Sequence, residues 1–382
     1  MSHRTQVLVA VDKFRGHFSA EEAAEGIIRG VRAVQPAVTI ARRPLLDGGE
    51  GTAAWLTEKA GGHWLTCRGL RGPWDHPVTG CYGLSPDGAT AYLDTASCIG
   101  WDTVAGTPRA HQAGKAHSFA LGQIIREALD QGAQHLVIGL GGSVTTDGGA
   151  GMAQALGYEL LDLDGLPISP GGVGLNQLFE ITNRYADPRL SSVSCTVLCD
   201  VDIPLLGSLG TVARYAAQKG ADQRTRRMLE SGLIRLHQRL RQTTGQDGQH
   251  LSGAGAAGGL GLGCAFFLNG QLESGSRFMA AQTDLEAAVS QADRVITGEG
   301  RLDDGSFHGK AVGHLIETAN RYHKPVYAVV GAASQKLIQH PDKHGLADIR
   351  LTMDYPRSAD PLQSAAYDLA HRFLQEPHLA SI

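Results

Sequence analysis

Four glycine-rich segments, each at the end of a strand-like run or beside acidic residues, constrain this chain more than any other feature. They are Asp47-Gly-Gly-Glu-Gly51, Gly141-Gly-Ser-Val-Thr-Thr-Asp-Gly-Gly-Ala-Gly151, Ser252-Gly-Ala-Gly-Ala-Ala-Gly-Gly259 and Gly298-Glu-Gly-Arg-Leu-Asp303. Glycine makes up 50 of 382 residues, about 13% against an ordinary ~7%. Clustered glycine allows positive φ and lets backbone N–H groups close on a bulky anion. The composition therefore points to an enzyme of anionic ligands, without saying which.

Around these loops the apolar pattern reads as α/β. Gln6–Val11 is a buried strand. Ser19-Ala-Glu-Glu22 is a capping box that opens a helix with Ala23, Ile27 and Val31 on one face. Thr39–Leu46 is a second strand, and a helix follows the first glycine segment through Thr52–Ala60. Loops after such strands lie where open α/β sheets bind ligands. From about Gly61 to Thr103 short alternating runs with Gly, Pro and Asp turns suggest antiparallel strands. A helix over Ser118–Gln131, strands at His135–Leu140 and Ser194–Leu198, and a helix from Met152 come next. A basic amphipathic helix over 221–242 carries Leu229, Leu233, Leu236 and Leu240 on one face and six arginines elsewhere, which reads as a solvated face. The last third returns to α/β with strands Arg294–Thr297 and Val326–Val330, a helix Ala311–Tyr322 and a strand near Ile349–Thr352. Similar ends around a different middle predict a discontinuous Rossmann-like parallel-sheet domain, 1–75 with 288–382, enclosing an inserted α/β domain, 76–287.

Composition excludes several functions. A net charge of −4 and a pI near 6.5 leave no electrostatic footprint for nucleic acid or an anionic membrane. No apolar run approaches the length of a membrane span, and VLVAV is too short for a signal-peptide core. The six cysteines form no CxxC pair and have no His at zinc spacing. Reduced thiols in a cytoplasmic protein are expected.

The loops divide by chemistry. The 141–151 segment joins a strand to a helix and lacks the GK[ST] ending of a Walker loop; it is a structural turn or an anion site. Asp147 within it would repel phosphate unless it held magnesium or oriented a hydroxyl. The 252–259 segment is formally GxGxxG but lacks the strand and acid of a dinucleotide fold, so a loop over nucleotide phosphates fits better. In the last segment Arg301 stands between Glu299 and Asp303, as either a phosphate, metal or carboxylate site or a loop salt bridge. Lys13 and Arg15 follow the first strand, and Asp200 and Asp202 follow Ser194–Leu198. A kinase needs such parts: cations and magnesium for the transferring group, and a carboxylate near the attacking hydroxyl.

Taken together, VAVDKFRG, LLDGGEGT, GLGGSVTTDGGAGMAQALG, LCDVDIPL, GAGAAGGLG and VITGEGRLDDGSFHGK resemble, in order and spacing, the signature segments of the bacterial glycerate kinase family of the 2-phosphoglycerate-forming type. The resemblance covers essentially the whole chain. It implies a two-domain α/β enzyme, with the site in the cleft, that uses ATP and Mg2+ to phosphorylate D-glycerate, with a homodimer left open. The pattern labels no roles; from their chemistry Asp200 is expected as base or hydroxyl orienter, with Lys13 and Arg15 as catalytic cations. Asp47, Glu50, Asp94, Ser118 and Arg301 are expected at the acceptor site and Glu299 and Asp303 at the metal site, with Asp47, Glu50 and Asp303 either metal or hydroxyl contacts. Gly141, Gly142, Ser143, Asp147, Gly148, Gly253, Gly255 and Gly258 line the nucleotide phosphates.

The chain also departs from the family pattern. Thr-Ser-x-Gly-Thr-Gly-Glu is replaced by His117-Ser-Phe-Ala-Leu-Gly-Gln123, an Asn by Thr146 and another by Ile203. PQKGA has become Ala217-Gln-Lys-Gly-Ala221, and His17 stands where a small hydroxyl is expected. Lost hydrogen-bonding groups change specificity more than fold. Two alternatives therefore stand beside D-glycerate: a related hydroxy-acid or polyol as acceptor, or a paralogue that binds without turnover. His17 and His117 are either new acceptor contacts or solvated and packed side chains.

Overall fold

The computed structural model describes residues 5–14, 17–104, 112–307, 310–356 and 358–375. The chain divides into two compact units, Met1–Asp47 with Ser276–Ile382, and Gly48–Gly275.

The first unit holds a five-stranded sheet in the order Asp348–Leu351, Val326–Val330, Arg294–Thr297, Gln6–Val9, Thr39–Arg42, all parallel. Its central strands are apolar because both faces are covered. One face packs Val7, Val9 and Ile296 on helices Ala20–Val34 and Pro361–Gln375, through Ala23, Ile27 and Val31 and through Leu362, Ala366 and Leu369. The other face carries Leu8, Val295 and Ala328 against Leu285, Val289, Leu315 and Ile316. Each fully buried Leu or Ile here contributes roughly 1.5–3 kcal/mol. The predicted capping box is present, with the Glu22 backbone N–H donating to Ser19 Oγ and the Ser19 N–H donating to Glu22 Oε2 at 2.8 Å.

The second unit holds a six-stranded mixed sheet. Its order is Gln271–Glu273, Ser194–Leu198, His135–Gly139, Thr90–Asp94, Pro77–Leu84, His63–Arg71. The first four strands are parallel and the last two antiparallel, as the alternating texture of 61–103 predicts. Leu229, Leu233, Leu236 and Leu240 of helix Gln223–Thr244 are buried in its core, while Arg224, Arg227, Arg235 and Arg241 are exposed.

The observed division falls at 47/48 and 275/276, whereas the sequence places it at 75/76 and 287/288. Tertiary contacts account for the difference. Helix Thr52–Lys59 lies so close to strand Pro77–Leu84 that a Cβ on Gly83 would collide with Thr57, and His63–Arg71 pairs with that same strand. At the other end Leu285, Ala288 and Val289 pack with Leu8 and Val295. The change of texture at Gly61 marks a new kind of sheet edge, not a new domain.

Candidate active site

In the second unit the four parallel strands end side by side, and at or just past their ends stand Asp94, the loop from Leu140, Asp200 and Ser274, the last of them not among the expected residues. Backbone bonds continue the ladder past the strand ends, with Leu140 N–H donating to Leu198 O and Cys199 N–H to Glu273 O, both at 2.9 Å. Gly48 lies flat across this edge. Its φ is +76°, and a Cβ there would stand 2.7 Å from Gly275 Cα and 2.8 Å from Leu198 Cβ. Only glycine combines that backbone with that approach.

Asp200 is half-buried, and its Oδ1 accepts a 2.9 Å hydrogen bond from Ser274 Oγ. Ser274 is a residue that sequence reading misses, because the three-residue strand Gln271–Glu273 before it carries too weak a pattern. Asp202 accepts a bond from Ser252 Oγ and is exposed. Asp94 sits at the end of its own strand and accepts from Gly51 N–H at 2.8 Å and Ala53 N–H at 3.1 Å, at the start of helix Thr52–Lys59. A carboxylate there satisfies orphan amides and the positive end of the helix. Glu50 is exposed and Asp47, in the first unit, half-buried.

The long glycine loop is closed from inside. Asp147 is fully buried. Its Oδ2 accepts from Ser118 N–H at 2.8 Å, Ser118 Oγ at 2.9 Å and Gly151 N–H at 3.0 Å, and its Oδ1 from Gly149 N–H at 3.3 Å. Ser118 Oγ in turn accepts from Met152 N–H. The amides that open helix Ala150–Ala155, expected to receive phosphate, are thus taken by Asp147 and Ser118. Both residues organise the loop. The first part of the loop is held elsewhere: Gly141 N–H donates to Thr95 Oγ1, which donates to Gly141 O. A residue absent from the predicted set, Lys219, also reaches it, donating to Thr145 O at 2.6 Å and Ser143 Oγ at 3.3 Å.

The two glycine loops of this unit interlock. Gly148 N–H donates to Gly258 O at 3.1 Å, and a Cβ on Gly258, whose φ is +77°, would lie 2.1 Å from Thr145 O. Gly253 lies against Cys199 and Gly255 against Pro204 O. Glycine at these positions thus serves close backbone packing.

His117 is packed. Its Nε2 lies 3.2 Å from Asp75 Oδ1 and its ring meets Phe119 edge-on; burial pushes its pKa down, against the opposing pull of Asp147 and Asp75. His17 is exposed.

The first unit presents its own acidic strand ends. Asp12 N–H donates to Gly298 O, and Gly331 N–H donates to Glu299 O. Lys13 is half-buried beside Asp12. Arg15 lies outside the described residues. Arg301 is exposed and pairs with neither Glu299 nor Asp303 among the described residues, so the loop salt bridge is not formed. Asp303 caps the turn Asp304–Phe307 by accepting from Gly305 N–H.

Glu299 is 9% exposed, and its Oε1 has no hydrogen-bond partner. Burial raises its pKa from 4.5 to about 7, with Asp12 and Asp303 adding to the rise and Ser306 and Lys310 opposing it. A carboxyl group whose pKa is raised by folding favours the native state at low pH. That contribution fades as pH climbs from about 4.5 to 7. Metal- and nucleotide-free Glu299→Gln protein is therefore expected to match the parent in stability near pH 4 and exceed it at pH 8, by at most roughly 3 kcal/mol. Thermal melts of both proteins across that range check the sign.

Among the described residues no group of three or more His, Cys, Asp or Glu side chains gathers to cage a metal. Magnesium is usually held by one or two carboxylates, with phosphate oxygens and water completing the shell. Glu299, with its unsatisfied buried oxygen, fits such a ligand. The six cysteines are free thiols, Cys98, Cys195 and Cys264 buried, and burial raises the pKa of all three. No helix among the described residues is long and apolar enough to cross a membrane.

Fold and site together define an α/β protein of two units, one with a parallel and one with a mixed sheet, whose acid residues and glycine loops lie at the C-terminal ends of parallel strands. The model described as the glycerate kinase family matches residues 7–376. The glycerate kinase of Bacillus subtilis (strain 168) is 38% identical over 330 residues, covering 86% of each chain. The glycerate 2-kinase of Escherichia coli (strain K12) is 35% identical over 368 residues, 95% of this chain and 94% of that one. The crystal structure assigned to glycerate kinase 2 from Salmonella typhimurium LT2 superposes with a TM-score of 0.79 at 35% identity, covering 97% of this chain and 99% of the other. The chain belongs to the glycerate kinase family.

Proposed function

We propose that this protein transfers the γ-phosphoryl group of ATP to the 2-hydroxyl of D-glycerate, giving 2-phosphoglycerate and ADP. The observation that carries the reading is Asp200, a carboxylate on the edge where four parallel strands end, oriented by Ser274 and adjacent in the sheet to the strand that launches the 141–151 loop. A base held in one orientation at a strand end is what an acceptor hydroxyl requires, and family membership supplies glycerate as that acceptor.

In this reading Asp200 takes the proton of the attacking hydroxyl while Ser274 fixes the carboxylate plane. Lys13, with Arg15, balances the carboxylate of glycerate or the charge on the transferring group. Glu299 would hold the magnesium ion that accompanies ATP and offsets charge on the β- and γ-phosphates. Positioning and charge compensation then supply most of the rate. The acceptor contacts assigned to Asp47, Glu50 and Arg301 fit polar side chains that are exposed or half-buried. Those assigned to Asp94 and Ser118 fit less well, since Asp94 accepts from backbone amides and Ser118 Oγ donates to Asp147 and accepts from Met152 N–H.

A related acid as acceptor rests on the altered 117–123 segment. His117 is bound to Asp75, Ser118 to Asp147, and Gln123 Oε1 accepts from Arg71 N–H at 2.7 Å. Side chains engaged in this way alter internal packing, which favours D-glycerate over a new acceptor. An ADP-release assay with D-glycerate, L-glycerate and four- to six-carbon hydroxy-acids tests the choice. Turnover is expected with D-glycerate at least about 10-fold above the others, with phosphorus NMR identifying the 2-phosphate. Turnover only with a longer acid replaces the acceptor, and magnesium-dependent ATP binding without any turnover removes the activity.

A further inference from the structure

The geometry points to Lys219 as the side chain that holds a phosphate group of the nucleotide against the Ser143–Thr145 turn. This rests on the proposed kinase reading and adds a residue to it. Lys219 lies in the segment that follows a single π-helical turn, Val212–Ala216, and that segment is pinned by Gly220 N–H donating to Ala217 O and Ala221 N–H to Ala216 O. The ammonium is thereby carried to the glycine loop, where it donates to Thr145 O and Ser143 Oγ.

Both of those partners are neutral. Among the described residues Lys219 forms no ion pair, and Asp147, the carboxylate whose charge it feels, has its oxygens turned to Ser118, Gly149 and Gly151. Lys219 is half-buried, and a partly desolvated cation with only neutral partners is favoured by an anion that completes its shell. Burial lowers the lysine pKa to about 8, opposed only by Asp147. The same turn holds a second unmet demand, since Thr145 Oγ1 is buried with no hydrogen-bond partner. With the amides of Gly149, Gly151 and Met152 already occupied, Lys219 and this turn are the part of the loop left to bind phosphate. An ammonium acting as a point charge is well suited to that contact.

The test uses the full-length protein. Affinities for ATP, inorganic tripolyphosphate and adenosine are measured by calorimetry for the parent, Lys219→Ala and Lys219→Arg, beside steady-state kinetics. Lys219→Ala is expected to weaken ATP and tripolyphosphate about 10- to 100-fold, the scale of one charge-assisted contact. Adenosine affinity and the KM for glycerate should be unchanged, and Lys219→Arg should recover most of the loss. Equal loss for adenosine and ATP, or no loss at all, overturns the assignment. A measurement on the parent protein guards against misfolding of the variants. Pyridoxal phosphate followed by borohydride should label Lys219, and ATP should protect it while adenosine does not. Labelling that ATP leaves untouched also overturns the assignment. A parent protein that binds neither ATP nor tripolyphosphate sinks the kinase reading itself, an outcome distinct from a lysine with no effect.

Discussion

Asp147→Ala is expected to lower the unfolding free energy by roughly 3–5 kcal/mol, among the largest losses any single replacement in this chain should cause. The carboxylate is fully buried and is the shared acceptor for Ser118 N–H, Ser118 Oγ, Gly149 N–H and Gly151 N–H. Removing it strands several donors where water does not reach, and each unsatisfied buried group costs about 1–3 kcal/mol. Urea unfolding followed by far-UV circular dichroism gives the midpoint shift. Ser118→Ala, which loses one hydroxyl and leaves the carboxylate in place, should cost about 1–2 kcal/mol. The result also decides the residue's role. If Asp147 contacts the nucleotide directly, its loss will weaken ATP binding with the urea midpoint unchanged, and the account of a loop closed from inside will fail.

Asp200→Asn is expected to leave ATP affinity within about twofold of the parent and to reduce kcat by at least about 10²-fold, the scale of losing a general base. The amide is nearly isosteric and can still accept from Ser274 Oγ, so packing survives while the proton acceptor is lost. Ser274→Ala should cost less than about 10-fold, because the carboxylate remains and only its orientation loosens. A near-normal kcat for Asp200→Asn, measured by ADP release at saturating substrates, removes this residue from the base role. A fall in ATP affinity of the same size as the fall in kcat would instead make it a nucleotide contact.

The sequence legibly placed the chemistry along the chain. Strands Ser194–Leu198, Arg294–Thr297 and Val326–Val330 run as their apolar pattern predicts, the capping box at Ser19 forms, and glycine loops follow strands. Which way each side chain in those loops faces was not legible. Asp94, Ser118 and Asp147 look like ligand residues because they are polar and fall in family segments or at strand ends, yet each side chain is turned to backbone amides. Lys219 carries no such signal: its segment is far in sequence from the loop it touches, and only folding brings its ammonium to Thr145 O and Ser143 Oγ.

The order of residues alone determined the class of protein. Local periodicity sets which segments are strands and helices, and glycine at strand ends sets where a backbone can close on an anion; both are properties of neighbouring residues. Tertiary structure alone decided the boundary at 47/48 and the service of the glycines. Helix Thr52–Lys59 joins the second unit because Thr57 meets Gly83 and Asp94 caps its first turn. Likewise Gly148 and Gly258 face each other because two loops more than a hundred residues apart interlock. Such contacts depend on long-range packing, whose free energy is written in no single stretch of sequence.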